Sequence, residues 1–232
     1  MVAIKGLEKF APKDFPGFIS STVFLAGCNF RCPFCHNADL VLRPQSLADI
    51  PPDFFLAYLD ARRGWLEGIC ISGGEPLAVP ELEDLLTVIK ERGLLVKLDT
   101  NGSLPDRLAR LVESGLVDHA ALDIKSAPGR YAEVTRSSVD PADIGRSAAI
   151  LREAGRPYLL RTTAVPGLVG EGDIREISAW LSGSAVYQLQ QFSPLNTLDP
   201  DFARIKPYSS DEIRRLADLA RPHFGEVRIE GL

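Results

Sequence analysis

At 232 residues the chain holds one generous α/β domain, since typical domains run to roughly 150 residues, and it leaves no room for a second catalytic one. An apolar content of 45% supports a real core, so neither disorder nor a disulfide-stapled scaffold is required. A net charge of −5 and a pI near 5.3 disfavour a broad basic surface, so nucleic acid is not expected as a partner. The opening MVAIKGLEKFAPKDFPGF lacks a signal-peptide core, and no run supplies the roughly 20 apolar residues of a membrane span, so a cytoplasmic protein is expected.

Taken in chain order, residues 1–18 read as an N-terminal extension, followed by a strand at Ser21–Leu25 and a helix at Leu47–Arg63. Strands are expected next at Gly68–Ser72, Leu94–Leu98, Val117–Ile124, Tyr158–Thr163 and Val186–Gln190, with Glu226–Glu230 closing or extending an edge. Helices at Pro80–Arg92, Pro105–Ser114, Pro141–Ala154, Gly172–Leu181 and Asp211–Arg221 fill the intervals. Pro80 with Glu81, Glu83 and Asp84 suits a helix start, where a proline and negative charge meet orphan N–H groups. Ser210 is the expected cap of the last helix. Residues 192–207 form a long ordered loop within a C-terminal loop and helix region, 192–232.

Six strand–helix repeats fit either a partial (β/α)6 barrel or an open doubly wound sheet. The polar motifs favour the barrel, because the cysteines, GGEP, DTNG, DIK and RTT all fall at or just beyond strand ends, the side on which barrels build active sites. The fold expected is therefore α/β, a partial TIM-like (β/α)6 barrel occupying residues 1–232 as a single domain.

Three of the four cysteines, Cys28, Cys32 and Cys35, crowd into LAGCNFRCPFCHN. In a reducing compartment such spacing points to metal or redox chemistry rather than disulfides. Thiolates are soft ligands, and three of them hold three corners of a four-iron cluster; a zinc site completed by His36 is the local alternative. Phe30 and Phe34 are placed to keep such a centre dry, and Arg31 adds positive potential or lies in solvent. Cys70 lies in the apolar run GICISG and reads as a core thiol.

Downstream, Gly73-Gly74-Glu75-Pro76 supplies a tight turn that allows close backbone approach. Asp99-Thr100-Asn101-Gly102 and Asp123-Ile124-Lys125 are polar strand exits whose carboxylates suit ribose hydroxyls or a hard cation, while Lys125 suits an anion. Arg161 in RTT offers directed donors to a ligand or a fold-supporting ion pair, and YAEVTR, with Tyr131, Glu133, Thr135 and Arg136, reads as lid or partner-facing support. Gln191, Asn196 and Thr197 mark a further edge of the site, and none of His36, His119 and His223 is required as a catalytic base.

The cysteine loop, with Phe34 immediately before its last cysteine, together with GGEP, resembles the radical S-adenosylmethionine superfamily. The resemblance implies one [4Fe-4S] cluster on Cys28, Cys32 and Cys35, with the amino and carboxylate groups of S-adenosylmethionine on its open iron and Gly73, Gly74, Glu75 and Pro76 at the methionine end. DTNG with LDIK, and RTT with VPG, resemble the glycyl-radical-enzyme activating enzymes, which implies that Asp99, Thr100 and Asp123 lie beside the cofactor with a monovalent cation near Asp99 and Asp123. It further implies cleavage to methionine and a 5′-deoxyadenosyl radical, the cofactor rather than a side chain carrying the chemistry, and hydrogen abstraction from a glycine of a partner. From FPGFISSTVFLAGCNFRCPFCHN to RTTAVPGL the chain is similar to the anaerobic ribonucleoside-triphosphate reductase activating proteins, which makes that reductase the expected partner. Activation of another glycyl-radical enzyme, or radical chemistry on a small molecule, are the alternatives. Four cysteines leave no ligands for additional clusters, so an external flavodoxin or ferredoxin is the expected electron donor.

Overall fold

The computed structural model describes residues 2–232. Its strands follow one another in chain order in a mixed eight-stranded sheet, and the second to the seventh are each followed by helix, as expected for a (β/α)6-type α/β fold. The chain packs as two compact units, one formed by the chain up to Asn29 with Asp39–Thr100 and Asp106–Ala120, the other by Phe30–Ala38, Asn101–Pro105 and Ala121–Leu232.

In the first unit, β1 (Ile4–Glu8) pairs antiparallel with β2 (Ser20–Leu25), which continues parallel into β3 (Gly68–Gly73) and β4 (Leu95–Thr100). The N-terminal segment expected to be an extension thus contains a strand. Register aligns Val23 with Ile71 and Ile71 with Leu98 on one face, all fully buried. On the opposite face Thr22, Cys70 and Lys97 align, and they too are buried. A buried polar row in parallel strands is unusual, because strands covered on both faces normally read as continuous apolar runs.

Helix α1 (Ala38–Leu42) was not foreseen, and the expected helix at 47–63 is shorter: α2 spans Pro52–Asp60. Ile50 bridges to Ile4 in extended conformation, Pro51 then stands at the helix cap, and Pro52 opens the helix at its first position, where a missing N–H costs nothing. Helix α3 (Leu82–Lys90) buries Leu82, Leu85, Leu86 and Ile89, the spacing of one helical face, and packs on β4. It starts two residues after Pro80, with Glu81 at its cap and Glu83 and Asp84 in its first turn.

Two elements cross the division, α4 (Pro105–Glu113) and β5 (His119–Asp123). His119 packs edge-on against Phe15 at 4.8 Å and Phe18 at 5.5 Å between ring centroids. Burial holds its pKa below the ordinary histidine value, the neighbouring Lys97 charge adds to this, and Asp118 opposes it without prevailing. A depressed folded pKa favours the neutral ring, so this contribution to stability is complete above the unfolded value of about 6.5 and is lost as pH falls through the folded one. The melting temperature is expected to decline on acidification below that value, and His119→Phe should remove part of the decline. Superimposable pH profiles for the two proteins would contradict this.

In the second unit, β6 (Tyr158–Ala164), β7 (Val186–Gln191) and β8 (Glu226–Glu230) pair in parallel. Here again one face is apolar, with Leu160, Tyr187 and Val227 in register, and the other polar, with Arg161, Gln188 and Arg228. Helices α5 (Tyr131–Thr135), α6 (Pro141–Glu153), α7 (Glu171–Trp180) and α8 (Ser210–Ala220) complete it, with α7 packed on α8. The cap of α8 is Ser209, one residue before the expected Ser210. Ser209 and Glu212 form a reciprocal capping box, in which the Ser209 N–H donates to Glu212 at 2.7 Å and the Glu212 N–H to Ser209 Oγ at 3.4 Å. Residues 192–207 run as a loop with a 3-10 turn at Pro200–Arg204. No helix among the described residues is long and apolar enough to cross a membrane.

Candidate active site

The cysteine loop begins three residues after β2. Gly27 adopts positive φ and donates its N–H to Leu40 O at 2.9 Å, which turns the chain toward Cys28, a half-buried thiol. In the second unit, Cys32 is buried and Cys35 half-buried, and the Cys35 N–H closes a turn onto Cys32 O at 3.1 Å. None of the cysteines is cross-linked. Around this part of the loop Phe30 and Phe34 are almost fully buried, and Phe30 meets Tyr131 edge-on at 6.4 Å.

Backbone hydrogen bonds anchor the same segment at two points. The Arg31 N–H donates to Thr135 O at 2.8 Å, and the Asp199 N–H donates to Pro33 O at 2.9 Å, while Arg136 joins Asp199 at 2.7 Å. YAEVTR is therefore the support of the cysteine loop, and Asp199, which no local pattern singled out, braces it from the 192–207 loop. Arg31 itself is exposed and donates to its neighbour's carbonyl, Phe30 O, at 2.8 Å.

The GGEP segment is held against the strand exit that leads to Cys28. The Gly74 N–H donates to Leu25 O at 2.9 Å and the Glu75 N–H to Gly27 O at 2.7 Å. Gly73 has a φ of +120°, and a Cβ there would lie 2.3 Å from Leu25 backbone atoms; a Cβ on Gly74 would lie 1.7 Å from Gly27 O. Only glycine fits either position. Glu75 is buried, and its Oε1 accepts from the Leu77 N–H at 3.0 Å and from Thr100 Oγ1 at 2.7 Å. Thr100 thus ties the end of β4 to GGEP. Arg107 closes the far side of the turn, donating to Leu77 O and Pro80 O, each at 2.7 Å.

Asp99 is the penultimate residue of β4 rather than a residue beyond it, and it is buried. Its Oδ1 takes an ion pair from Lys97 Nζ and lies 3.6 Å from Cys70 Sγ. Cys70 is fully buried, as its apolar run implied, but its thiol belongs to a polar cluster and not to a purely apolar core.

In the second unit, Asp123 receives Arg161 Nε on Oδ1 at 2.6 Å and Lys125 Nζ on Oδ2 at 3.0 Å, while the Ile124 N–H donates to Arg161 O at 2.8 Å. Burial acts to raise the Asp123 pKa, yet the Arg161 and Lys125 charges outweigh it and hold the carboxyl far below its ordinary range. Lys125 is pulled down by burial and pushed further up by Asp123 and then by Cys32. Two cations thus meet on one carboxylate. Gln191 and Thr197 turn inward to structural partners, Tyr208 O at 2.6 Å and Asp199 O at 2.8 Å.

Among the described residues no group of three or more His, Cys, Asp or Glu side chains is drawn together as a metal-ion site. The donor chemistry nevertheless suits a thiophilic centre: three uncross-linked thiols on one short loop, with two buried phenyl rings beside its second half.

Residues 22–181 match the family model of the radical SAM superfamily. A Methanocaldococcus jannaschii protein named "Putative glycyl-radical enzyme activating enzyme" is 30% identical over 97% of this chain and 95% of its own length. The pyruvate formate-lyase-activating enzyme of Streptococcus mutans is 28% identical over 93% of this chain and 89% of its own. Among solved structures, a domain of the pyruvate-formate lyase-activating enzyme of Bacteroides vulgatus superposes with a TM-score of 0.58 at 20% identity, over 71% of this chain and 99% of that one. Streptococcus suis SuiB bound to the precursor peptide SuiA gives 0.70 at 18% identity over 90% of this chain, which spans 48% of SuiB. At these identities the two structures speak to the fold alone.

Proposed function

The chain belongs to the radical SAM superfamily and, within it, to the glycyl-radical-enzyme activating enzymes. On that premise we propose that Cys28, Cys32 and Cys35 hold one [4Fe-4S] cluster, that the strand-end motifs bind S-adenosylmethionine, and that the enzyme activates anaerobic ribonucleoside-triphosphate reductase in the cytoplasm. Held by these cysteines and reduced by an external flavodoxin or ferredoxin, the cluster would supply the one electron that splits S-adenosylmethionine into methionine and a 5′-deoxyadenosyl radical, and transfer of a glycine α-hydrogen from the partner to that radical would leave 5′-deoxyadenosine and a glycyl radical.

The chain's own residues orient and shield. The observation that carries this reading is the clamp of GGEP on the strand exit before Cys28, with Glu75 N–H to Gly27 O at 2.7 Å. Gly73 and Gly74 let the turn close onto the Leu25 and Gly27 backbone, which sets GGEP at the proposed methionine end of the cofactor, and Glu75 is fixed there by Thr100 and Leu77. Lys125 and Arg161, both held at Asp123, carry directed donors that suit a carboxylate such as that of methionine. Phe34, with Phe30, excludes water from the cysteine loop.

The choice of reductase rests on the sequence resemblance from the cysteine loop to RTTAVPGL; the likeness to the S. mutans enzyme supports pyruvate formate-lyase as the second candidate. Anaerobic reconstitution, iron and sulfide analysis, and electron paramagnetic resonance are expected to show one four-iron cluster, with S-adenosylmethionine cleavage under reduction. Each candidate partner is then added in turn, and a glycyl radical is expected on the reductase. A zinc protein without cleavage activity would refute the proposal, and a radical on the lyase alone would reassign the partner.

A further inference from the structure

A monovalent cation near Asp99 and Asp123 is expected from the family resemblance, yet the side chains around both carboxylates already supply cations. At Asp99 the cation is Lys97, two residues earlier on the same face of β4, with side chains 6% and 8% exposed. At Asp123 there are two, Arg161 and Lys125. An additional alkali ion at either carboxylate would sit against a fixed positive charge in a site shielded from water, where like charges repel strongly. The residues present do not fit a separate ion.

Lys97 has the features of a built-in replacement. A buried ammonium persists only with a compensating charge and further polar partners, and Asp99 supplies the charge. Cys70, its register partner on β3, supplies a polarizable sulfur 3.8 Å from Nζ. The tether also matters. A side chain on the same strand reaches Asp99 at a high effective concentration that no dissolved ion must match. Beyond Asp99, Thr100 carries the end of β4 to Glu75 and GGEP, so whatever neutralises Asp99 also steadies the proposed cofactor segment.

We propose that Lys97 is the resident cation of the Asp99 strand end, a positioning residue that takes the place of an alkali ion and makes S-adenosylmethionine binding independent of Na+ and K+. The consequence for cofactor binding rests on the reading given under Proposed function; the occupancy of the Asp99 site by Lys97 does not.

The test measures melting temperature and the S-adenosylmethionine dissociation constant of the reconstituted protein in NaCl, KCl and choline chloride at equal ionic strength. For the unaltered chain both quantities are expected to agree in all three salts, the affinity within about twofold. Lys97→Met should weaken binding by about tenfold or more in choline and recover at least half of the loss, on a logarithmic scale, in NaCl or KCl, with a parallel rise in melting temperature; Lys97→Arg should behave like the parent. Tightening of the parent by about tenfold on adding Na+ or K+ would overturn the proposal. So would a Lys97→Met variant that matches the parent, or one equally impaired in every salt, which would reduce Lys97 to a structural ion pair. If the variant does not fold, the parent's salt series decides. If no cofactor binds in any salt, the functional reading fails, while the melting temperatures still decide whether Lys97 or a free ion holds Asp99.

Discussion

Serine at Cys28, Cys32 or Cys35 is expected to eliminate the four-iron signal and lower S-adenosylmethionine cleavage by more than the 10- to 100-fold range typical of changes around a metal's ligands. A hydroxyl is a hard, weakly acidic donor and does not replace a thiolate on iron. The three positions should be equivalent in this respect although their surroundings differ, Cys32 being buried and the other two half-buried. Cys70→Ser is the informative control. Its hydroxyl can still donate to Asp99 and accept from Lys97, so the loss should stay within about 1–2 kcal/mol of stability and leave the cluster intact. Cys70→Val should do more harm than Cys70→Ser, because it strips a polar partner from a buried ion pair. Iron and sulfide content, cleavage rate and melting temperature for the five variants check this. Equal loss of cluster in all four serine variants, with melting temperatures preserved, would show that the thiols have been divided wrongly.

Most of the sheet was legible because its strands are short apolar runs bounded by turns. Gly68–Ser72, Tyr158–Thr163 and Val186–Gln190 each gain one residue in the structure, and Glu226–Glu230 stands unchanged. The strand at Ile4–Glu8 was not legible: IKGLE has no strong alternation, and it becomes a strand only because β2 offers it an antiparallel edge. The helix expected over 47–63 starts late for a similar reason, since the pairing of Ile50 with Ile4, 46 residues apart, overrides local propensity ahead of Pro52.

The same division holds in the site. Motifs compressed into a few residues, such as the cysteines and GGEP, can be read linearly because their spacing is the chemistry. Contacts made across the fold cannot: Thr135 O receiving the Arg31 N–H, Asp199 N–H reaching Pro33 O, and the register that sets Cys70 beside Lys97 all depend on tertiary placement. One signal was present and overlooked. In LVKLDT a lysine stands two residues before an aspartate in an otherwise apolar strand, which puts both on one face and predicts their pairing wherever that face is buried.

Gly74→Ala is expected to be the most damaging single-methyl change in the chain. The added carbon would lie 1.7 Å from Gly27 O and 3.2 Å from Cys28 N, so the obstruction is backbone and no rotamer change relieves it. Either GGEP or the strand exit must retreat, breaking the Gly74 N–H to Leu25 O and Glu75 N–H to Gly27 O hydrogen bonds. Overpacking of this kind costs about 3 kcal/mol or more, which for a chain of this size lowers the melting temperature by roughly 6–12 °C. Gly73→Ala should be similar, combining overlap at 2.3 Å with a φ of +120° that a side chain rarely adopts. Because Gly27 directly precedes Cys28, both variants should also lose cluster content, a coupling that a purely structural turn would not show. Gly172→Ala provides the contrast: it sits in α7 with nothing within 4 Å of the added carbon, so alanine should stabilise by up to about 1 kcal/mol. If Gly74→Ala melts within about 2 °C of the parent and holds a full complement of iron, the clamp is not what positions the cysteine loop.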